Sequence, residues 1–470
     1  MSKIKKYVII VLTCILGSII FYFIGGKQLK QIEKNDSLTE GRGAISELTS
    51  GQTLEQLFTV NMDVIEAIDS MVATYARQNN GTILLQILDS DTKEILKYCE
   101  VDISTLEDNS YYTWYLDEPL YGVKGKKLIL QITSFSKAGE SIGFYYGDQN
   151  KNQETMILNG EIFSGELAIK IAGFDYSIFG SYYWIWVLVA ITILMGYIVW
   201  SDYEETNGKL TKGKLIIIVW HKYRFLIEQL VARDFKTKYK RSVLGYLWSF
   251  LNPLLTMLVQ YIVFSTIFKS GIDNYPVYLL SGIILFNFFS EAVGQGLMSI
   301  VYNAALITKV YVPKYIYPVT KVASTSINLF ISVIPLLLVA LMTGVKITPA
   351  IFLLPFVLTC LLMFCVGMVL MLSAATVFFR DTQYLWGIFS MVWMYATPLF
   401  YPENIIPAKF RFIQILNPMY HLIKFTRIIL IDGVSPAPMQ YGTCILSAVI
   451  TCLIGAIVFK RTQDKFVLYI

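Results

Sequence analysis

Eight runs of mostly apolar residues, at 7–24, 182–200, 244–268, 276–295, 317–343, 349–378, 383–401 and 441–459, limit the fold more than any other feature. Each is close to the roughly 20 residues a helix needs to cross a hydrocarbon core. Inside such a core every backbone polar group must be satisfied internally, so these runs are expected to be helices. With 55% hydrophobic and only 16% charged residues, an all-soluble chain of 470 residues is excluded.

Charge divides the chain. The net charge of +5 conceals 23 acids against 13 bases in residues 25–181, and 26 bases against 11 acids elsewhere. The two parts are expected to face different compartments. Ten Lys and Arg residues crowd 201–243, and Lys460, Arg461 and Lys465 follow the last run, which assigns both segments to the cytoplasm. Lys3, Lys5 and Lys6 precede the first run as in a signal peptide, but Gly25-Gly26-Lys27 is a poor cleavage site, so a retained anchor is expected. Two histidines, His221 and His421, and six cysteines without a CxxC pair argue against a metal centre.

The chain is read as an anchor (1–24), an exported domain (25–181), a second span (182–200), a basic linker with an interfacial helix (201–243) and a membrane domain (244–470). Period-two alternation such as Tyr112, Trp114, Leu116 and Leu128, Leu130, Ile132 marks the exported part as eight or nine strands, an all-β sandwich of jelly-roll type. Residues 65–76 also fit one helix. Tyr111, Trp114, Tyr115, Tyr145 and Tyr146 serve either sheet packing or the stacking of sugars.

From Val219, Tyr223, Leu226, Ile227 and Leu230 recur at helical spacing against Lys222, Arg224, Glu228 and Arg233, describing a helix in the membrane interface. Next come Leu230-Val-Ala-Arg233-Asp234-Phe-Lys236-Thr-Lys238-Tyr239-Lys-Arg241-Ser242-Val-Leu244-Gly245-Tyr246-Leu-Trp248 and Asn252-Pro253. Lys309-Val-Tyr-Val-Pro313-Lys314, Phe379-Arg380-Asp381, Thr397-Pro398, Ile406-Pro407, Asn417-Pro418-Met419 and Arg427 follow in order. Over residues 215–470 this series resembles the ABC-2 permeases that export polysaccharides, the O-antigen and teichoic-acid exporters.

The resemblance implies six core spans, and roles for particular residues. Asn303, Lys309 and Pro313 fall in a coupling helix that docks on an ATPase, with Arg380 and Asp381 nearby; otherwise Asn303 is a helix cap, Pro313 a helix stop and Arg380-Asp381 an ion pair. Arg233, Asp234, Tyr239, Arg241 and Trp248 belong to the interfacial helix and the access route of the substrate. Pro398, Pro407, Asn417, Pro418 and Arg427 belong to an outer gate. Residues 402–440 are read as a re-entrant pair, Ala408–Ile415 and Tyr420–Leu430, whose four bases on the outer side are expected to meet lipid or glycan phosphates; otherwise the segment is an external loop without a gate. Among the aromatics of the spans, Tyr246, Phe289, Trp386, Phe389 and Trp393 are the channel-lining candidates; most such residues pack or sit at the interface. Glu291, the one acid inside a core span, is a functional candidate or a snorkelling side chain.

Energy is expected from outside the chain. Gly208-Lys-Leu-Thr-Lys-Gly213-Lys214-Leu215 approaches a phosphate-binding loop, but Leu215 replaces the Ser or Thr that holds magnesium and no apolar strand precedes it. The resemblance implies a homodimer of permeases with two separate ATPase subunits that bind ATP and Mg. It also implies a polyprenyl-pyrophosphate-linked glycan as substrate, a bacterial inner or plasma membrane location and no nucleic-acid partner; no cofactor is expected in this chain. A small-molecule or drug exporter is the nearer alternative. A membrane glycosyltransferase is the further one, and the carboxylates available to it, Asp273, Glu403 and Asp432, have no paired spacing.

Overall fold

The computed structural model describes residues 3–147, 155–239, 244–245, 247–267, 272, 274–309 and 312–469. The chain divides into two compact units, residues 30–183 and residues 1–29 with 184–470.

The first unit is a two-sheet β structure. Its described strands are β1 (Gln31–Ser37), β2 (Gly43–Ala44), β3 (Thr53–Thr59), β4 (Val64–Ala73), β5 (Thr82–Asp89), β6 (Ile95–Asp102), β7 (Ser110–Tyr121), β8 (Lys127–Ser134), β9 (Gly143–Gly147), β10 (Met156–Leu158), β11 (Glu161–Phe163), β12 (Glu166–Leu167) and β13 (Ile169–Tyr176). One sheet runs β1-β13-β4-β9-β12, with β2 on β9 and β7 on β4; the other runs β11-β10-β3-β8-β5-β6. The alternating residues of both sheets meet in one core, with Leu54, Phe58, Leu85, Leu130 and Ile132 from the second sheet against Ile68, Trp114, Phe144 and Ile171 from the first. Strands outnumber the sequence expectation because β2 and β10–β12 are too short to leave a period-two signal.

Residues 65–76 are mostly strand rather than helix, and the reason is local. In the β4–β13 pairing Ala67 faces Ala172 and Ile65 faces Gly173, so Glu66 is an extra residue on β4. Ile65, Ile68 and Val72 thereby reach one core at spacings of three and four, which imitate a helix.

In the second unit, α1 (Lys3–Lys30) precedes the β structure, whose last turn is α2 (Ile178–Ser181). The chain continues as α3 (Tyr183–Thr206), α4 (Lys212–Tyr239), α5 (Leu247–Ile267), α6 (Tyr275–Leu297), α7 (Ser299–Tyr302), α8 (Ala304–Ile307) and α9 (Ile316–Met342). Then come α10 (Leu354–Phe378), α11 (Thr382–Ala396), α12 (Arg411–Leu416), α13 (Pro418–Arg427), α14 (Pro438–Thr462) and α15 (Phe466–Tyr469). Among the described residues seven helical stretches are long and apolar enough to cross a membrane: 4–30, 183–206, 247–264, 275–297, 316–342, 349–378 and 438–469.

The expected span at 383–401 is the exception. Helix α11 has 15 residues, about 22 Å at 1.5 Å per residue, against a hydrocarbon core of about 30 Å. It stops because Pro398 disfavours helical backbone at Thr397, which is extended at φ −100° and ψ 129°.

Helices α6 and α10 are the most buried spans. Against α10, α14 packs backbone to backbone: a methyl group on Gly455 would collide with the carbonyl oxygen of Gly367. At the opposite end of α6 from Tyr275, a separate apolar cluster joins Leu230 of α4, Ile300 of α7, Tyr317 of α9, Val377 of α10, Phe459 of α14 and Phe466 of α15. The face of α4 read from the sequence is the one that packs there, with Tyr223, Leu226 and Ile227 against the cluster. The N-terminal end of α4 is pinned to α1 and α3 through Asp202, which accepts from Tyr7 Oη at 2.7 Å and pairs with Lys214 at 2.6 Å.

In the β unit, Asp175 ties three segments together, pairing with Lys34 at 2.7 Å and Lys124 at 3.0 Å and accepting from the Asp63 backbone N–H at 2.9 Å. Burial acts to raise its pKa, but these donors outweigh it and hold the carboxyl down to about 2. Because that lies below the roughly 3.9 of an unfolded Asp, the stabilisation is complete above about pH 4 and is lost as pH falls through 2. Asp175→Asn is expected to cost roughly 1–2 kcal/mol at pH 7, the lysines being partly open to solvent. Thermal unfolding of the purified full chain at pH 7 and pH 3 checks this, with a smaller penalty expected at the lower pH.

Candidate functional site

The end of α11 leaves a stretch of backbone whose carbonyls no helix satisfies. Side chains from two other helices take them in turn. Arg427, at the C-terminus of α13, donates Nη1 to the Pro398 carbonyl at 2.8 Å and Nη2 to the Leu399 carbonyl at 3.2 Å. From the first turns of α6, Tyr275 Oη donates to the Phe400 carbonyl at 2.6 Å and Tyr278 Oη to the Tyr401 carbonyl at 2.8 Å. Four consecutive carbonyls thus have a partner. Arg427 is 6% exposed; its Nη2 also reaches the Tyr278 carbonyl at 3.2 Å, and its guanidinium carbon lies 3.3 Å from the Tyr278 ring centroid. Gly282 makes room, since a Cβ there would stand 3.0 Å from Nη2.

Asn417 connects the same region. Its Oδ1 accepts from the Met419 N–H at 3.0 Å and the Tyr420 N–H at 3.4 Å, capping α13, and Pro418 occupies the first turn where no donor is needed. Trp393 Nε1 of α11 donates to that Oδ1 at 2.7 Å, and Asn417 Nδ2 donates to Thr397 Oγ1 at 2.8 Å. Glu403 accepts from Tyr420 Oη at 2.8 Å and Lys424 Nζ at 2.7 Å. It is therefore a structural partner rather than a free acid. Pro407 is exposed and accepts from the Phe410 N–H at 2.8 Å, opening the turn before α12.

A cavity of about 300 Å³ with mixed lining lies between α4, α5, α6 and α9, bordered among others by Lys238, Trp248, Asn252, Asn287, Glu291 and Asn328. Its wall follows from Pro253, which has no N–H for the Ser249 carbonyl; Ser332 Oγ donates to that carbonyl at 3.1 Å instead. Glu291 pairs with Lys238 at 2.6 Å and accepts from Gln295 at 2.8 Å. Asp234 pairs with Lys321 of α9 at 2.7 Å and with Arg233 at 3.1 Å. Arg241, Tyr246, Asp273 and the side chain of Tyr239 lie outside the described residues.

The segment between α6 and α9 begins with two single-turn helices. Asn303 is buried between them and donates Nδ2 to the Ser299 carbonyl at 2.7 Å. It fastens the preceding turn instead of capping the next. Lys309, Tyr302 and Leu306 are exposed, and Ile300 is buried. Pro313 precedes α9, and its carbonyl accepts the Ile316 N–H at 3.0 Å, so it initiates that helix rather than stopping another. Val310 and Tyr311 lie outside the described residues. Arg380 and Asp381 are both exposed and form no ion pair with each other. The Asp381 carbonyl accepts the Tyr384 and Leu385 N–H groups at 3.0 and 3.1 Å, starting α11.

The five aromatic candidates separate. Phe289 is fully buried, with ring centroids of Phe364, Trp386 and Trp393 5.0–5.6 Å away, so in this conformation it packs the core instead of facing a channel. Trp386, Phe389 and Trp393 border an apolar groove of about 730 Å³ between α10 and α11. Tyr275, Tyr278 and Gly282 escaped sequence reasoning. Their signal is a Tyr pair at spacing three with Gly one turn on, meaningful only opposite a proline-ended helix.

Arg427→Ala removes the donor of the Leu399 carbonyl and one donor each of the Pro398 and Tyr278 carbonyls, all buried, at an expected cost of about 3 kcal/mol. Arg427→Lys restores a charge without the fork and should recover only part. Tyr278→Phe should cost about 1 kcal/mol, one neutral hydrogen-bonded contact. Thermal unfolding of the three variants in detergent orders them.

Residues 226–431 match the family described as ABC-2 type transporter. The chain is similar to the O-antigen export system permease protein RfbA of Myxococcus xanthus, 31% identical over 249 residues, 52% of this chain and 95% of the relative. It is also similar to the RfbA of Klebsiella pneumoniae, 28% identical over 245 residues (51% and 93%). The polysialic acid transport protein KpsM of Escherichia coli is 25% identical over 245 residues (51% and 93%). With nearly the whole of these permeases covered, and the Arg427 and Asn417 contacts falling within the matched region, the chain is a multi-pass membrane protein that belongs to the ABC-2 type transporter family, alongside permeases of polysaccharide export.

Proposed function

We propose that the chain is the membrane subunit of an exporter for a cell-surface polysaccharide carried on a polyprenyl pyrophosphate, working as a homodimer with a separate ATPase. The observation that carries this is the coverage of 93–95% of permeases named for O-antigen and polysialic acid, with the family match at residues 226–431 falling on the helical unit. ATP and Mg belong to the partner, whose hydrolysis drives the cycle; the helical unit supplies the path and the lever.

The lever is the α7–α8 segment. Its exposed Tyr302, Leu306 and Lys309 offer a mixed apolar and basic surface to the ATPase, and Asn303 with Ile300 fixes that surface to the apolar cluster. A push there reaches α4, α9, α10 and α14 together. The access route runs by Arg233, Asp234, Trp248 and the Asn-rich cavity, whose neutral amides suit hydroxyl groups and whose Lys238 suits a phosphate. The outer gate is the α12–α13 pair with the Thr397–Tyr401 backbone, and α11 with this extended segment returns the chain to the outer side in place of an eighth full span. The β unit faces outward in this reading and is read as a jelly roll, which the strand orders β2-β9-β4-β7 and β3-β8-β5-β6 contained in its sheets support.

A photo-crosslinker in place of Lys309, in the chain expressed in its own host, is expected to capture an ATPase subunit. Repeated recovery of the chain without one, with ATP and without it, would remove the coupling assignment. Lys309→Glu is expected to lower surface glycan at least several-fold while leaving membrane levels of the chain unchanged.

A further inference from the structure

The outer face of the six-stranded sheet carries a row with one side chain from each strand. Register pairs Tyr98 with Gln86, Gln86 with Gln131, Gln131 with Glu55, Glu55 with Ile157 and Ile157 with Ile162. Residues beside them along the strands, Leu85, Ile87, Leu54, Leu130 and Ile132, are in the core, so the row points the other way. Gln131 Nε2 donates to Glu55 Oε1 at 2.6 Å, which aligns two planar groups side by side.

This is not the face of an ordinary solvated sheet. The row ends in two large exposed side chains, Tyr98 at 70% and Ile162 at 77%. On one side of it along the strands stand aliphatic residues paired across the sheet, Leu88, Ile129 and Leu57, and on the other Leu84 lies between Glu100 and Thr133. A central line of amides and a carboxylate with an aliphatic margin on one side, a margin of Glu100, Leu84, Thr133 and Thr53 on the other, and a phenol ring at one end has the composition needed by a ligand with apolar C–H faces and hydroxyl edges. From Tyr98 to Glu55 the row covers three strand spacings, roughly 14 Å, the length of about three sugar rings.

Charge narrows the ligand. With 23 acids against 13 bases in residues 25–181, and Glu55 in the row itself, an anionic chain would be repelled. We propose that this face binds a neutral oligosaccharide segment, with Tyr98 stacking on a sugar ring and Gln86, Gln131 and Glu55 bonding hydroxyls. Resting on the export reading above, this makes the β unit a holder of a neutral glycan as it leaves the path.

The test uses the full chain in detergent and oligosaccharides of three to six sugars prepared from the host's own surface polysaccharide, with polysialic acid fragments of equal length as the anionic comparison. Calorimetric or fluorescence titration should show binding of the neutral fragments that falls at least ten-fold in Tyr98→Ala and Gln131→Ala. Tyr115→Ala, on the other sheet, should bind as the parent does. Unchanged thermal unfolding of the variants separates loss of binding from loss of fold, and Tyr98→Phe should retain most of the affinity. No binding of host fragments, equal binding by parent and row variants, preference for the anionic chain, or a row that alters only self-association would each overturn the proposal. Capture of the ATPase at Lys309 is independent of this face, so failure here with capture intact leaves the permease reading standing.

Discussion

A helix that stops inside a membrane domain must find partners for the carbonyls it abandons, and the structure at one end of the bundle is organised around that need. Pro398 makes the stop unavoidable. The carbonyls of Pro398 to Tyr401 are then bonded by Arg427, Tyr275 and Tyr278, so α6, α11 and α13 are joined through unwound backbone rather than through apolar packing alone. Apolar surfaces can slide at small cost, whereas a guanidinium shared between two carbonyls and an aromatic ring has few alternative positions. A joint of that kind holds one state firmly and opens only when the whole set is exchanged, which is what a gate requires.

The other end is built differently. There the α7–α8 segment rests on an apolar cluster fed by six helices, and its fixed point is a single side chain-to-backbone contact from Asn303. Ion pairs from α4 to α6 and α9, Lys238–Glu291 and Asp234–Lys321, tie the amphipathic helix to the same framework. Through Asp202 the first turns of α4 are tied in turn to α1 and α3, the two helices that flank the β unit in sequence. A displacement of α4 is therefore felt both by the core spans and by those anchors.

Much of this was legible before any coordinates. Long apolar runs gave the helices because periodicity and length are strong signals at that scale, and Leu230 with its helical neighbours marked the buried face of α4. Asn417 and Pro418 fell between the two stretches read as a re-entrant pair, where α12 ends and α13 begins. What escaped had physical causes. The β4 bulge moved Ile65 onto the face of Ile68 and Val72 and produced a helical spacing in a strand. Phe289 read as a channel aromatic because sequence cannot tell which side of an all-apolar helix faces its neighbours. Tyr275 and Tyr278 went unread, since the role of Tyr278 exists only opposite a backbone break 120 residues away. Glu291 looked isolated, and its partner came from the interfacial helix rather than from another span.

In the proposed function the helical unit moves a lipid-linked glycan under power supplied by a separate ATPase. The direct measurement is ATP-dependent transfer of the host's lipid-linked glycan across proteoliposomes containing this chain and the ATPase recovered with it, read by lectin or antibody on the far side. The account predicts transfer that needs ATP and both subunits and is lost when Lys309 is changed to Glu, although glycan still associates with the vesicles. Transfer at the same rate without ATP or without the second subunit, or ATP-driven transfer of small solutes with none of the glycan, would contradict it.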